Sequence, residues 1–126
     1  MAGFDGVIGL KITELSDKLM RGSVPVRDEL KHRAGLVHGG VYASIAESLA
    51  SIGTSLAVLP DGKRALPLSS QASFLRPIVR GTIHAVATRK HRGRTTWVWE
   101  VEMFDDERRL CVRARMTVAV SDVPKP

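Results

Sequence analysis

Two features in one stretch of the chain have the residue types for chemistry. The first is Glu47. Between Arg33 and Asp61 it is the only side chain with a formal charge, unless His38 is protonated. A lone carboxylate on a buried helix costs several kcal/mol unless it is paired, solvated or neutralised. Desolvation raises a carboxyl pKa, which is how enzymes tune a catalytic acid or base. A structural role is equally compatible, with the carboxylate held by a backbone group or by a basic residue elsewhere. The second feature is Gly35-Leu36-Val37-His38-Gly39-Gly40, just ahead of Glu47. If a helix starts there, its first N–H groups lack intrahelical partners and carry the positive end of the helix dipole. Glycine lets a carbonyl approach that backbone closely. A thioester carbonyl placed there would be polarised and its developing oxyanion stabilised. The plain alternative is a flexible loop running into a helix. His38 alone says little, since a lone histidine more often satisfies a local hydrogen bond.

Such chemistry requires a helix that starts at the glycines and carries Glu47. Within 34–60, Val41, Ile45, Leu49, Ile52, Leu56 and Leu59 recur at steps of three and four, which makes one helical stripe. Pro60-Asp61-Gly62 ends it. The reverse face carries Ser44, Glu47, Ser48, Ser51 and Ser55. A helix so nearly uncharged all round is expected to be buried. A membrane span is the competing reading. The serines, the early glycines and a mid-helix glutamate argue against it.

The flanking segments supply a sheet. Residues 5–25 read as two short strands broken near Ser16-Asp17, and Asp28 to Lys31 as a turn of helix. After the helix the period changes to two. Trp97, Trp99, Val101 and Met103 alternate with Thr96, Val98, Glu100 and Glu102. Leu110 to Val120 alternates likewise, Thr82 to Lys90 reads as strand, and Ala65 to Leu75 does so more weakly. His91 to Arg94 and Asp105 to Arg108 read as turns. Two strands, one long helix and then four strands in an antiparallel meander predict an α+β two-layer domain, a twisted sheet wrapped round one central helix.

Composition agrees with one domain over residues 1–126. Hydrophobic residues make up 44% of the chain, enough for a core. A single cysteine, Cys111, excludes an intramolecular disulfide and a thiolate metal cluster, which suits a cytoplasmic location. The N-terminal stretch does not read as a signal peptide. The net charge of +6 suits nucleic acid, an anionic membrane or a phosphorylated small molecule.

His38-Gly39-Gly40 followed by Ala46-Glu47-Ser48-Leu49-Ala50-Ser51 resembles the hotdog-fold acyl-CoA thioesterases. The branch it resembles contains the phenylacetate-pathway, Arthrobacter-type hydroxybenzoyl-CoA and enterobactin-pathway proofreading thioesterases. Phe74-Leu75-Arg76-Pro77 is similar to the family's strand ending in Arg-Pro, and Gly93-Arg94-Thr95 to its following turn. The resemblance runs over roughly residues 30–120 and implies a hotdog fold. It implies Glu47 as nucleophile or general base and the Gly39 N–H as polariser of the thioester carbonyl. His38 would orient the thioester, with Gly40 beside it, and Ser51 would hold the attacking water or line the acyl pocket. Where the family usually has Gln or Asn six residues before the HGG histidine, this chain has His32, which either replaces that donor or drops the role. Phe74 falls near a histidine of the enterobactin-type enzymes, which implies a more apolar acyl pocket. The phenylacetate-pathway enzymes carry Asp at the position of Glu47.

The resemblance also gives the basic residues a use. Arg76, Arg80, Arg89, Lys90, Arg92 and Arg94 are expected to gather around the turn His91–Arg94, where with Gly93 they would meet the phosphates of coenzyme A. For any single one a solvated charge is the plainer reading. Coenzyme A is part of the substrate, and no cofactor or metal is expected. No nucleic-acid motif is present, and Trp97 and Trp99 alternate as core residues do. Hotdog dehydratases pair an acid with a histidine in other local patterns, absent here. A non-catalytic acyl-CoA binder would not need Glu47. The resemblance further implies a homodimer, two sheets joined edge to edge, assembling into a homotetramer.

Overall fold

The computed structural model describes residues 3–124. In chain order it contains α1 (Gly3–Ile8), β1 (Lys11–Glu14), β2 (Leu19–Pro25), a 3-10 turn (Asp28–Leu30), α2 (Gly39–Val58), and a second 3-10 turn (Leu59–Asp61). Four strands follow: β3 (Lys63–Phe74), β4 (Thr82–Arg92), β5 (Thr96–Phe104) and β6 (Leu110–Asp122). The strands form one antiparallel sheet in the order β1-β2-β4-β5-β6-β3. Helix α2 lies across one face of it. This is the hotdog arrangement expected from the sequence.

Alternation predicts β5 and β6 because one face of each meets the helix. Trp97, Trp99, Val101 and Met103 are buried, as are Val112, Ala114, Met116 and Val118. Trp99 donates its indole N–H to Thr54 Oγ1 at 2.9 Å, and Thr54 donates in turn to the Ala50 carbonyl. Gly53 lets this happen, since a Cβ there would lie 2.6 Å from the Trp99 ring. The helix therefore sits down on the sheet at one specific height.

The structure corrects four expectations. Residues 5–8 belong to a helix and not to a strand. Ile8 is buried, Ser48 donates a hydrogen bond from α2 to Asp5, and the Arg27 guanidinium donates to the Val7 and Ile8 carbonyls. Those tertiary contacts close the last turn of a helix that local sequence does not announce. Second, the four strands after α2 are not a meander. β3 crosses to the far edge and pairs with β6, while β4 pairs with β2 and β5. Third, α2 is not buried all round. A sheet covers one flank of a helix, so Glu47, Leu56 and Leu59 remain exposed. Val41, Ile45 and Leu49 of the predicted stripe do face the core, joined by Tyr42, Ala46, Ala50, Gly53 and Val58.

The fourth correction concerns the basic cluster. Phe74 pairs with Val112, whereas the turn after β4 lies near Thr96, which pairs with Ala119. Seven residues of β6 separate those two levels, about 24 Å of extended strand. Arg76 and Arg80 therefore sit at one end of the sheet and Lys90, His91, Arg92 and Arg94 at the other.

β3 is left as a long free edge. Leu66 and Leu68 are exposed on it, and a register shift between Pro67 and Ser69 interrupts its ladder. Helix and turn together, Gly39–Asp61, are long and apolar enough to cross a membrane by length and composition, yet half of that stretch is packed inside the fold.

Candidate active site

α2 starts where the glycines predict. His38 is its N-cap, in extended backbone, and its Nδ1 accepts the Gly40 N–H at 2.8 Å. An imidazole thus takes the part usually played by Ser or Asp. The Val41 N–H bonds the His38 carbonyl at 3.0 Å. The Gly39 N–H has no acceptor among the described residues. One donor at the positive end of a 20-residue helix is therefore left free.

Gly39 lines a cleft of about 390 Å³ together with His32, Leu36, Val37, Tyr42, Phe74, Leu75, Arg76 and Pro77. His32 is placed there by the loop before α2. Its Nδ1 accepts the Ala34 N–H at 3.0 Å, so a neutral ring carries its proton on Nε2. The ring lies 6.4 Å from that of His38, edge to face. Phe74 arrives from the end of β3 and covers Gly39. A Cβ on residue 39 would stand 3.2 Å from its Cζ. Tyr42 lies 5.8 Å from Phe74, ring to ring. Its hydroxyl is sealed from solvent and has no hydrogen-bond partner among the described residues. Burial pushes the phenol above its usual pKa.

Gly40, Ser44, Glu47 and Ser51 recur at steps of four, three and four, so they share another face of α2. Ser44 Oγ donates to the Gly40 carbonyl at 2.7 Å. Glu47 is exposed and makes no hydrogen bond or ion pair among the described residues. This corrects the expectation of a buried carboxylate: within one chain nothing covers that face at Glu47. One turn on, Ser51 Oγ is shielded and has no hydrogen-bond partner among the described residues. Gly39 and Glu47 are eight residues apart on the helix, a rise of about 12 Å. One chain alone does not bring the Gly39 N–H and the Glu47 carboxylate to the same atom.

Structure thus gathers Gly39, His32, Phe74 and Arg76 in one cleft, with His38 and Gly40 beside it. It holds Glu47 and Ser51 apart from them, and it places Lys90, His91, Arg92, Gly93 and Arg94 at the opposite end of the sheet. Arg92 is engaged there. It bonds Asp17 at 3.2 Å and lies 4.8 Å from the centroid of the Trp97 ring, with Arg89 also over that ring at 5.2 Å. Lys90 and Arg94 are exposed and make no ion pair among the described residues. Sequence reasoning missed Tyr42, Leu36, Val37, Leu75 and Pro77 as cleft residues. The signal for Tyr42 was its place three residues after Gly39, on the next turn of the same side. Among the described residues no three His, Cys, Asp or Glu side chains gather to hold a metal ion.

Comparison with known proteins settles the family. Residues 34–112 match the model of the thioesterase superfamily. The chain belongs to the thioesterase superfamily. The proofreading thioesterase EntH of Cronobacter turicensis is 32% identical over 113 residues, covering 90% of this chain and 82% of that protein. Among solved thioesterases, a mutant of a Pseudomonas aeruginosa enzyme is 31% identical with a TM-score of 0.91, covering 96% of this chain and 87% of that one. A thioesterase from Haemophilus influenzae is 30% identical with a TM-score of 0.88, covering 96% and 84%. The PaaI protein from the phenylacetic acid degradation operon of Escherichia coli shares the fold, at 21% identity and a TM-score of 0.82, covering 91% and 81%. As a member of the thioesterase superfamily, this hotdog protein is a thioester hydrolase.

Proposed function

We propose that the chain hydrolyses an acyl-CoA thioester to a free acid and coenzyme A, in a site shared between two copies. The observation that carries this reading is the free N–H of Gly39 at the start of α2, a residue that lines a largely apolar cleft. A thioester carbonyl accepting that N–H would have its developing negative charge met by the helix dipole. His32 Nε2–H can supply a second donor from the same cleft, and His38 holds the glycine turn in register. Glu47 then acts as general base or as nucleophile. As a base it takes a proton from water while the oxygen adds to the carbonyl carbon. The tetrahedral intermediate then breaks its C–S bond, and the departing thiolate takes up a proton. As a nucleophile its carboxylate adds first, expels the thiolate, and the resulting anhydride is hydrolysed. Ser51, shielded and unpartnered one turn beyond, is suited to hold the water.

The second copy is needed because Gly39 and Glu47 diverge on one helix. The free β3 edge, with Leu66 and Leu68 exposed, offers a place for a second sheet to join. Each site then takes Gly39 from one copy and Glu47 from the other, and the dimer pairs into a tetramer. Lys90 and Arg94 remain free to meet coenzyme A phosphates, and Arg76 serves the mouth of the cleft. A cytoplasmic location belongs with this reading.

The test is a hydrolysis panel of aromatic, short-chain and medium-chain acyl-CoAs, run on the wild type and on Glu47→Gln. Glu47 is exposed and unpaired in the single chain, so its charge is not needed for folding, and a surface change shifts stability by about 0.5 kcal/mol or less. Turnover should fall by about 10²-fold or more. A folded variant with wild-type turnover removes Glu47 from the mechanism.

A further inference from the structure

Two histidines stand beside Gly39, and both are held in the same way. His32 Nδ1 accepts the N–H of Ala34 at 3.0 Å, and His38 Nδ1 accepts the N–H of Gly40 at 2.8 Å. In each case the donor is the backbone two residues further along. The His32 backbone is fixed as well, its N–H on the Leu36 carbonyl and its carbonyl on the Gly35 N–H. The rings lie 6.4 Å apart, edge to face. An Nδ1 that accepts a backbone N–H carries no proton, so each ring in this arrangement is neutral with its hydrogen on Nε2. Protonation would set a second hydrogen against the backbone N–H and turn the bond into a repulsion.

The surroundings of both rings are poor in free negative charge. In the cleft, His32 meets Arg76 from the β3–β4 connection and Tyr42 from α2, with Lys31 and Arg33 on either side of it in the chain. His38 shares a groove with Arg27, Glu29 and Lys31, to which α1 brings only apolar side chains. Glu29 lies 3.8 Å from Arg27, and Asp28 lies 3.3 Å from Lys31. Neither imidazole is bonded to a carboxylate among the described residues. A cation on His38 would also stand at the positive end of α2.

We infer that His32 and His38 work only as a neutral pair, and that a proton gained by either ring switches the site off. The inference rests on the thioesterase reading of the Gly39 N–H and adds its regulation by pH. Neutral His32 is a donor through Nε2–H, fixed by Ala34. Neutral His38 is the cap that keeps the glycine turn closed. Protonated His32 loses Ala34 and turns out of line. Protonated His38 releases the Gly40 N–H, and the first turn of α2, with the Gly39 donor, is no longer held. An amide at position 32 would donate equally well but would not respond to pH. Histidine side chains change charge between about pH 5 and 8, above the range of ordinary carboxyl groups. Hydrolysis is therefore lost on mild acidification.

The experiment takes the wild type, His32→Gln, His38→Asn and the double variant through the histidine range and below it. Asparagine at 38 accepts the Gly40 N–H without taking up a proton. Heteronuclear NMR reads the ring tautomers and the Ala34 and Gly40 amide resonances. At alkaline pH the wild type should show both rings as the Nε2–H tautomer, and each amide should shift with pH in step with its ring. Activity is kcat/KM for the best substrate of the acyl-CoA panel, each protein scaled to its own alkaline plateau. The wild type should fall with a slope approaching about 2 log units per pH unit, because two protons must be absent. Each single variant should fall with a slope of about 1, and the double variant should hold its plateau down to the range of ordinary carboxyl groups. The wild-type spectra decide the matter even where a variant does not fold. An Nδ1–H tautomer on either ring, or amides that ignore pH, would overturn the inference. So would single variants whose acid limb matches that of the wild type. Rings and amides that titrate together without hydrolysis of any ester would uphold the neutral pair and refute the thioesterase reading. Hydrolysis with an unaltered acid limb in the double variant would do the reverse.

Discussion

Replacing Gly39 with alanine puts a single methyl group where the thioester carbonyl is expected. The methyl would lie 3.2 Å from Phe74 Cζ, closer than ordinary contact, and 3.6 Å from its Cε1 and Cε2, an ordinary contact distance. Phe74 is 59% exposed at the end of an edge strand, so its ring can give by the few tenths of an ångström required. Against that cost, alanine is the better helix former by up to about 1 kcal/mol in a helix interior and less in the first turn. The two effects nearly cancel, and stability should change by less than about 1 kcal/mol. For a domain of this size that is a shift in Tm of about 4 °C or less. Catalysis should suffer far more. An oxyanion donor must stand about 2.7–3.1 Å from the oxygen it stabilises, and losing one costs about 10²–10³ in kcat. A methyl beside the N–H displaces the carbonyl without deleting the donor, so a fall of about 10-fold to 10²-fold is expected, mostly in kcat. Single-turnover hydrolysis of benzoyl-CoA and a thermal melt on the same sample measure both. A variant with wild-type kcat and unchanged Tm would refute the idea that substrate approaches this N–H. A melt lowered by 10 °C or so would refute the argument that Phe74 yields.

The basic turn and the acid side of the stability curve give two more tests. Arg94→Ala should raise KM for the acyl-CoA several-fold with little change in kcat, and the effect should shrink in high salt. Arg92→Ala should instead lower Tm, because Arg92 is tied to Asp17 and to the Trp97 ring; equal KM effects from the two would contradict that division. Asp105 is held below the usual carboxylate range, first by the Arg109 backbone N–H, then by the Arg109 side chain and the Glu107 backbone N–H. A depressed folded pKa means stability is fully present above the unfolded value of about 4 and is lost as pH falls through the folded one. Asp105→Asn should therefore melt lower than wild type at pH 7, with the gap closing below about pH 4. A gap that stays constant with pH would show that the charge of Asp105 is not involved.

Much of this architecture is legible in the chain, and the exceptions share a cause. α2 is announced from both ends, by His38-Gly39-Gly40 and by Pro60-Asp61-Gly62, where Gly62 takes a left-handed φ of 74°. β5 and β6 follow from alternation because one face meets α2. What the sequence hides is long-range pairing. α1 is closed by Arg27, 19 and 20 residues further along. Arg92 meets an Asp17 that lies 75 positions earlier. Nothing in a period of two says that β3 crosses to β6. Glu47 misleads for a different reason: a nearly uncharged helix signals burial, yet the sheet covers only one flank of α2 and leaves Glu47 exposed on another. The glycines of the site were readable because their spacing coincides with a helix start. Tyr42 was not, because a tyrosine in a first helical turn has many other uses.

The position of β6 has a consequence for how the protein comes into being. It is the last strand in sequence, yet it lies inside the sheet, between β5 and β3. Among the described residues β3 pairs with β6 alone, and its first residue, Lys63, waits for Asp122, 59 positions later. During synthesis, α2 and β3 must therefore emerge and remain only partly covered until β6 leaves the ribosome and slots between its neighbours. Non-local pairings of this kind slow folding and leave apolar surface open meanwhile. A chain stopped short of β6 would expose β5 on one side and β3 on both. Losing a few residues from the end of this strand should cost solubility during expression well before it touches any residue of the Gly39 cleft.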